Sequence, residues 1–408
     1  MIDPVVWSVA GLAAIIVVWS LVARRLERWR VTPVMSLVFA GALVGFLTHD
    51  VLAARIEAHV VAPIIQLILA IVLFEHAANI RGGFFGGQAK LAFRLLFVAL
   101  PISLALVVGL GLWLLPGLSW SMLLVLACVV VPIDFAPVAA FLRDERIPLR
   151  IRKLLNVEEG YSDGVIAPIY LFALAVSDGQ HTGSQSVAQA LKEGLPHLAV
   201  AVALGMGIGA GLAWVANRAD RRGFMTEQSR RLLVIGAPVL TYAVNIGLHG
   251  NGFVAAFICG IAYNSVRQYT DDSTEQEFID DITFLLAAVV WFVFGAVAWY
   301  VLEDGAALVQ VLFGVLVLTV VRALPVLLTL LGSGLSRPER TLVAGLGPRG
   351  TASIALGLLA YIVLPDSPAD TLLTVMIIVV LGSVVVHGLV GPTLVGRVAE
   401  TRPPAPRP

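Results

Sequence analysis

Charge is what this chain has least of. Asp, Glu, Lys and Arg make up 13% of its 408 residues while 59% are hydrophobic, the balance of a polytopic membrane protein rather than of a water-soluble domain. The 27 basic and 27 acidic residues cancel, which excludes a nucleic-acid surface. Cysteine is almost absent. The two present, Cys128 and Cys259, lie in apolar runs and read as small core residues, not as a disulfide or metal site. The first apolar run, Val5 to Ala23, has neither a basic segment before it nor a small-residue cleavage site after it, so it reads as a retained span. Long polar stretches are missing too. The longest loop expected outside, about 178–195, is polar and rich in Gly, Ser and Gln, and the Pro-rich tail 401–408 is too short to fold, so no soluble regulatory domain is expected.

What is present in abundance is apolar runs. Thirteen are long enough to cross a bilayer, short or broken ones included, near 5–23, 32–48, 59–76, 93–115, 119–142, 154–177, 196–217, 230–247, 251–266, 283–304, 307–331, 340–363 and 370–396. Threading the chain back and forth through these runs places 23 of the 27 Lys and Arg residues on one side. Only Arg55 and Lys192 fall on the other, and Arg322 and Arg349 fall inside spans. One missed or invented span would scramble that asymmetry. The positive side is the cytoplasm, which predicts an outside N-terminus, a cytoplasmic C-terminus and a multi-pass location in the cell membrane.

Two of the spans contain helix breakers. Span 5 holds Val131-Pro132-Ile133-Asp134-Phe135-Ala136-Pro137, and span 12 holds Gly345-Leu346-Gly347-Pro348-Arg349-Gly350. Proline removes a backbone donor and glycine weakens the helix, so both spans are expected to unwind at mid-depth. Unwound backbone survives there only where it is buried in protein or lines a cavity. The breaks are seven spans apart, an odd offset, so spans 1–6 and 8–13 would form oppositely oriented repeats, about 5–177 and 230–396, with 196–217 as linker. The predicted fold class is an all-α membrane domain over residues 1–400 with broken helices 5 and 12 crossing at the midplane. Paired broken helices in inverted repeats point to a secondary transporter, with kinked helices of a channel or receptor as the alternative.

Charges inside these spans are the candidates for chemistry, because a charge at the membrane centre costs roughly 2.5–3.5 kcal/mol even on lenient scales. Asp163, in span 6, is placed to face broken span 5, and a proton and a cation competing for one carboxylate suffice for exchange. Asp134 sits in the break itself, where it can accept from freed N–H groups and offset converging helix ends. Arg322 needs a carboxylate, and Glu158 is the partner of choice, unless Arg322 reaches the cytoplasmic interface as an anchor. Arg349 follows the proline of its break and can counter helix C-terminal carbonyls. Glu75 and Glu159 are further candidates, Glu75 fitting a solvated interface equally well, while His249 and His387 stand alone as core groups. Gly160-Tyr161-Ser162-Asp163-Gly164 also fits the G-x-S-x-G nucleophile elbow of hydrolases, but that motif needs a strand before the serine, and here a basic loop leads into a transmembrane helix.

Ile147 to Arg152 followed by Leu155 to Gly164, Gly347 to Ile354, Asn251 to Phe257 and Val290 to Gly295 together resemble the NhaP-type monovalent cation/proton antiporters of the cation:proton antiporter superfamily, a resemblance running from about span 3 to the end. It implies an NhaA-like antiporter fold, with a dimerisation domain and a core domain moving as an elevator, usually in a homodimer in membrane lipid. It also implies that Asp163 carries the cation and the proton, that Glu158 and Arg322 form a stabilising ion pair, and that Asp134 belongs to the unwound element, with Pro132, Gly347, Pro348, Arg349 and Gly350 supporting the breaks. No cofactor is implied, only transported Na+ (or K+ or Li+) and H+. Three positions depart from the family pattern: Ser162 stands where an asparagine is expected and Ile133 where a threonine is, with Phe135 replacing a small residue. Ser162 keeps a hydroxyl able to coordinate; Ile133 offers only backbone oxygen. With one carboxylate shared, exchange of one cation for one proton would be electroneutral. A transport-inactive homologue acting as sensor or assembly subunit is the alternative.

Overall fold

The computed structural model describes residues 4–29, 31–48, 58–80, 85, 87–138, 140–182, 187–268, 273–303 and 305–400. Arg30, Arg55, Arg81 and the tail from residue 401 lie outside them. Among the described residues the regular structure is all helical, as a bilayer demands of backbone that must satisfy its own hydrogen bonds. In chain order the helices are α1 (Pro4–Arg28), α2 (Pro33–Thr48), α3 (Ala58–Ala78), α4 (Ala89–Leu114), α5 (Trp120–Val130), α6 (Ala140–Arg143), α7 (Leu149–Thr182) and α8 (Val187–Arg221). They continue with α9 (Glu227–Gly247), α10 (Gly252–Val266), α11 (Ser273–Glu303), α12 (Leu308–Thr329), α13 (Arg337–Gly345), α14 (Thr351–Val363) and α15 (Asp366–Glu400). Six of the described helices are both long and apolar enough to cross a membrane.

Local chemistry starts these helices where the sequence offers a cap. Ser336 and Glu339 form a capping box at α13, Thr226 and Ser229 do so at α9, and the Asn251 side chain accepts from the N–H groups of Phe253 and Val254 at α10. Several helices outlast their apolar runs. The polar loop expected over 178–195 is instead helical over 178–182 and 187–195, because Ala188-Gln189-Ala190-Leu191-Lys192-Glu193 are good helix formers and a helix need not end where the bilayer does.

Helix neighbours are set largely by small residues. A Cβ on Gly41 would overlap the Phe292 carbonyl and one on Gly295 the Val38 carbonyl, so α2 and α11 touch backbone to backbone. Between α8 and α10, a Cβ on Gly205 would stand 2.6 Å from the Ala255 carbonyl. Helices α4 and α12 each contain one π-helical turn, Leu95–Ala99 and Val317–Val321, followed shortly by Pro101 and Pro325. Pro325 has no N–H for the Val321 carbonyl four residues back, and Ser103 Oγ of α4 supplies the missing donor at 2.9 Å. The two short helices beside the breaks lie deepest, with Val125–Val130 of α5 and Thr351–Ala360 of α14 all buried. The core therefore surrounds the breaks.

Candidate functional site

Helix α5 stops at Val130, and the chain runs without helix through Val131–Phe135; α13 stops at Gly345, and helix resumes at Thr351. The breaks face each other, since the Asp134 N–H donates to the Pro348 carbonyl at 2.9 Å. The Asp134 carboxylate, 2% exposed, joins them a second time. Its Oδ2 accepts from the Thr351 N–H at 2.7 Å, at the start of α14, and its Oδ1 accepts from the Ala136 N–H at 2.8 Å. A negative charge thus sits where N–H groups left unpaired at a helix start converge. Gly350 is needed for this approach, because a Cβ there would collide with the Asp134 carboxylate.

Positive charge sits at the opposite helix ends. Arg349, 1% exposed, donates through Nε to the carbonyl of Val130, the last residue of α5, and through Nη1 to the carbonyl of Gly347. Its own N–H donates to Ser383 Oγ of α15 at 2.8 Å. His387 does not stand alone. Its Nε2 accepts from the Gly347 N–H at 3.1 Å, which makes Nδ1 the protonated nitrogen, donating to the Ser383 carbonyl at 2.8 Å. Arg322 is buried and does not reach toward solvent. It grips both oxygens of Glu158, Nη1 on Oε1 and Nη2 on Oε2 at 3.0 Å, and Nη2 also lies 3.3 Å from the carbonyls of Val343 and Leu346 at the end of α13. Three helix ends, the last turns of α5 and α13 and the first of α14, are therefore neutralised by side chains from elsewhere in the fold.

On α7, one helical step beyond Ser162, Asp163 is 3% exposed, and neither of its oxygens accepts a hydrogen bond from the described residues. Its titratable neighbour is His76 of α3, with Nδ1 3.4 Å from Asp163 Oδ2. Ser162 donates its hydroxyl to the Glu159 carbonyl at 3.1 Å, and Glu159 Oε1 accepts from the Phe135 N–H at 2.6 Å, tying α7 to the span 5 break beside Ile133. Ligand atoms of His76, Asp134 and Glu159 all lie within 4.8 Å of one another. Glu75, which accepts from the Asn79 side chain, stands 3.7 Å from His76 Nε2. Two glycines of α7 permit this assembly. A Cβ on Gly160 would come within 3.0 Å of the His76 carbonyl, and one on Gly164 would strike the ring of Phe257. The hydrolase-like pattern around Ser162 is thus a helical packing face with no strand before it, so the elbow geometry is absent.

The sequence reading passed over His76. Its signal was weak, a histidine closing an apolar run beside a glutamate, and only the approach of α3 to Gly160 gives it a partner. Chemically, the site combines one buried carboxylate without a protein donor and two that are held by backbone N–H groups. An ionised carboxylate buried there is expensive unless a proton, a cation or a protonated His76 neutralises it.

Comparisons with known proteins agree with this architecture. The profile of the family described as "Sodium/hydrogen exchanger, transmembrane" matches residues 11–396. The "Na(+)/H(+) antiporter ApNhaP" of Aphanothece halophytica is 26% identical over 350 residues, covering 82% of this chain, while the chain spans 64% of that relative's length. The solved structure of the sodium proton antiporter MjNhaP1 from Methanocaldococcus jannaschii at pH 8 superposes with a TM-score of 0.76 at 20% identity, over 97% of this chain and 99% of that one. An electron-microscopy structure of MjNhaP1 gives the same score at 19% identity, over 98% and 99%. The fold is shared with MjNhaP1, and the profile match across nearly the whole chain places this protein in the transmembrane sodium/hydrogen exchanger family, a family of transporters and not of enzymes.

Proposed function

We propose that this protein is a secondary antiporter that exchanges a monovalent cation, Na+ before K+ or Li+, for H+ by alternating access, and that Asp163 carries both. The observation that bears the most weight is the Asp163 carboxylate, 3% exposed and with no hydrogen bond to either oxygen from the described residues. Sodium is the cation in the names of the relatives, and a hard cation suits oxygen donors. Ser162, Asp134 and the backbone of Ile133 complete the surroundings of the ion, and Glu158 with Arg322 holds the frame. With one carboxylate shared, each cycle moves one positive charge in each direction and exchange is electroneutral. The broken segments keep polar backbone beside the ion, while bonds from Arg322, Arg349, Asp134 and Glu159 keep the helix ends fixed.

Thirteen spans in two inverted repeats, about 5–177 and 230–396 around a linker at 196–217, are part of this reading. The π turns in α4 and α12, seven spans apart like the two breaks, support it. So does the arginine asymmetry, and the reading includes an outside N-terminus, a cytoplasmic C-terminus and a cell-membrane homodimer serving pH homeostasis. The test is dissipation of a pH gradient in proteoliposomes with Na+, K+ and Li+ in turn. Wild type should respond to Na+ and Asp163→Asn should not, while both fold alike. An imposed membrane potential should leave the rate unchanged. Substantial cation-driven flux through Asp163→Asn would sink the assignment, and absence of flux in wild type would favour the sensor or assembly role.

A further inference from the structure

We propose that His76, Asp134 and Glu159, with Asp163 alongside, form a binding site for a divalent transition-metal ion of the Zn2+ class. The three groups already present their ligand atoms within 4.8 Å of one another, although they come from α3, the span 5 break and α7. The Asp163 carboxylate, 3% exposed and without a hydrogen bond from the described residues, lies 3.4 Å from His76 Nδ1. A tetrahedral ion with bonds of about 2.0–2.1 Å sets neighbouring donors roughly 3.3–3.4 Å apart. The His76 and Asp163 atoms stand at that spacing, and Asp134 and Glu159 each bring a carboxylate oxygen within 4.8 Å of a His76 ring nitrogen.

The outer contacts are those a metal site needs. Metal-bound histidines commonly direct their second nitrogen at a carboxylate, and Glu75 Oε2 stands 3.7 Å from His76 Nε2. The Asp134 oxygens are oriented by the N–H groups of Thr351 and Ala136, and Glu159 Oε1 by that of Phe135. A carboxylate so held keeps lone pairs for a metal. Ligand type then separates the two kinds of ion. An imidazole nitrogen adds little for Na+, but it suits Zn2+ and Co2+ well. Charge argues the same way, since a dication offsets more of three clustered carboxylates than a monovalent ion does. The ion would tie α3 and α7 to the span 5 break. Arrest of transport as a consequence rests on the exchange proposed above; metal binding does not.

The experiment uses the purified full-length protein, freed of any affinity tag, titrated with Co2+ and followed by its visible absorption. Wild type should take up one Co2+ with the bands of a low-coordinate site containing nitrogen, release it to Zn2+, and ignore equal Mg2+. His76→Gln should weaken Co2+ binding more than 100-fold, and Glu75→Gln about 10- to 100-fold. Glu159→Gln serves as second ligand variant should His76→Gln melt differently from wild type without metal. Lack of Co2+ binding by wild type, or binding undiminished in a folded ligand variant, overturns the proposal. Exchange in proteoliposomes is read separately with and without Zn2+. Intact exchange with no metal uptake refutes only the metal site, and metal uptake without exchange refutes only the antiport.

Discussion

Removing either half of the Glu158–Arg322 pair should leave a charge stranded in the interior. Glu158 is 4% exposed and Arg322 8%. Arg322→Ala deprives Glu158 of both its guanidinium bonds and frees the Val343 and Leu346 carbonyls, while Glu158→Ala leaves the guanidinium with backbone carbonyls alone. Breaking a buried pair from one side costs about 3–5 kcal/mol, mostly the penalty of the stranded charge. The double variant strands no charge. Its cost should be no more than that of one single change, so the two effects should fall short of additivity by at least about 3 kcal/mol. Equilibrium unfolding of the four proteins in mixed micelles, with rising SDS fraction and tryptophan fluorescence as readout, measures the cycle. Strictly additive losses would refute the reasoning, because they would mean that neither charge depends on the other. Losses below about 1 kcal/mol for both singles would refute the burial argument as well, since that is the scale of exposed pairs.

Gly350→Ala should push the Asp134 carboxylate off the Thr351 N–H and cost about 1–3 kcal/mol, a loss that shrinks when Asp134→Ala is present as well; the same unfolding assay reads both. Gly295→Leu drives a side chain into the Val38 carbonyl and should collapse the yield of monodisperse protein on size-exclusion chromatography, whereas the same change at Gly211, which faces open space, should not. Arg146 holds the Asp144 carboxyl below its ordinary value of 3.8, through hydrogen bonds at the α6–α7 turn. A depressed carboxyl stabilises the fold above its unfolded pKa, and the gain disappears as pH falls through the folded one. Asp144→Asn should therefore be slightly less stable at neutral pH, by at most about 0.5 kcal/mol for so exposed a pair, and should match wild type at a pH well below 3.8.

Membrane-embedded charge was the most legible part of the molecule. Asp163, Arg322 and the two proline breaks stand out because an apolar run offers no background to hide them. The bonds that join the breaks were not legible. Asp134 meets the Thr351 N–H 217 residues away, and a backbone donor leaves no mark in a sequence. Helix ends were misjudged for a related reason, since hydropathy reports where the bilayer is and not where hydrogen bonding stops, so α8 starts at Val187 well ahead of its apolar run. Gly160 and Gly164 were visible as a pattern, but their use as contact points for α3 and α10 required a third dimension. His76 was missed through the same gap, because nothing local to α3 announces Asp163.

The mutual capping of the two breaks also fixes an order of events during synthesis. The Val130 carbonyl receives its donor from Arg349, 219 residues downstream. At ribosomal speeds of about 5–20 residues per second, that partner is made roughly ten to forty seconds later. Throughout this interval the nascent segment after α5 has polar backbone without its partners and an aspartate with no α14 to cap. A chain cut before α13 keeps that defect permanently, its Val130 carbonyl and Asp134 carboxylate both left without their downstream partners.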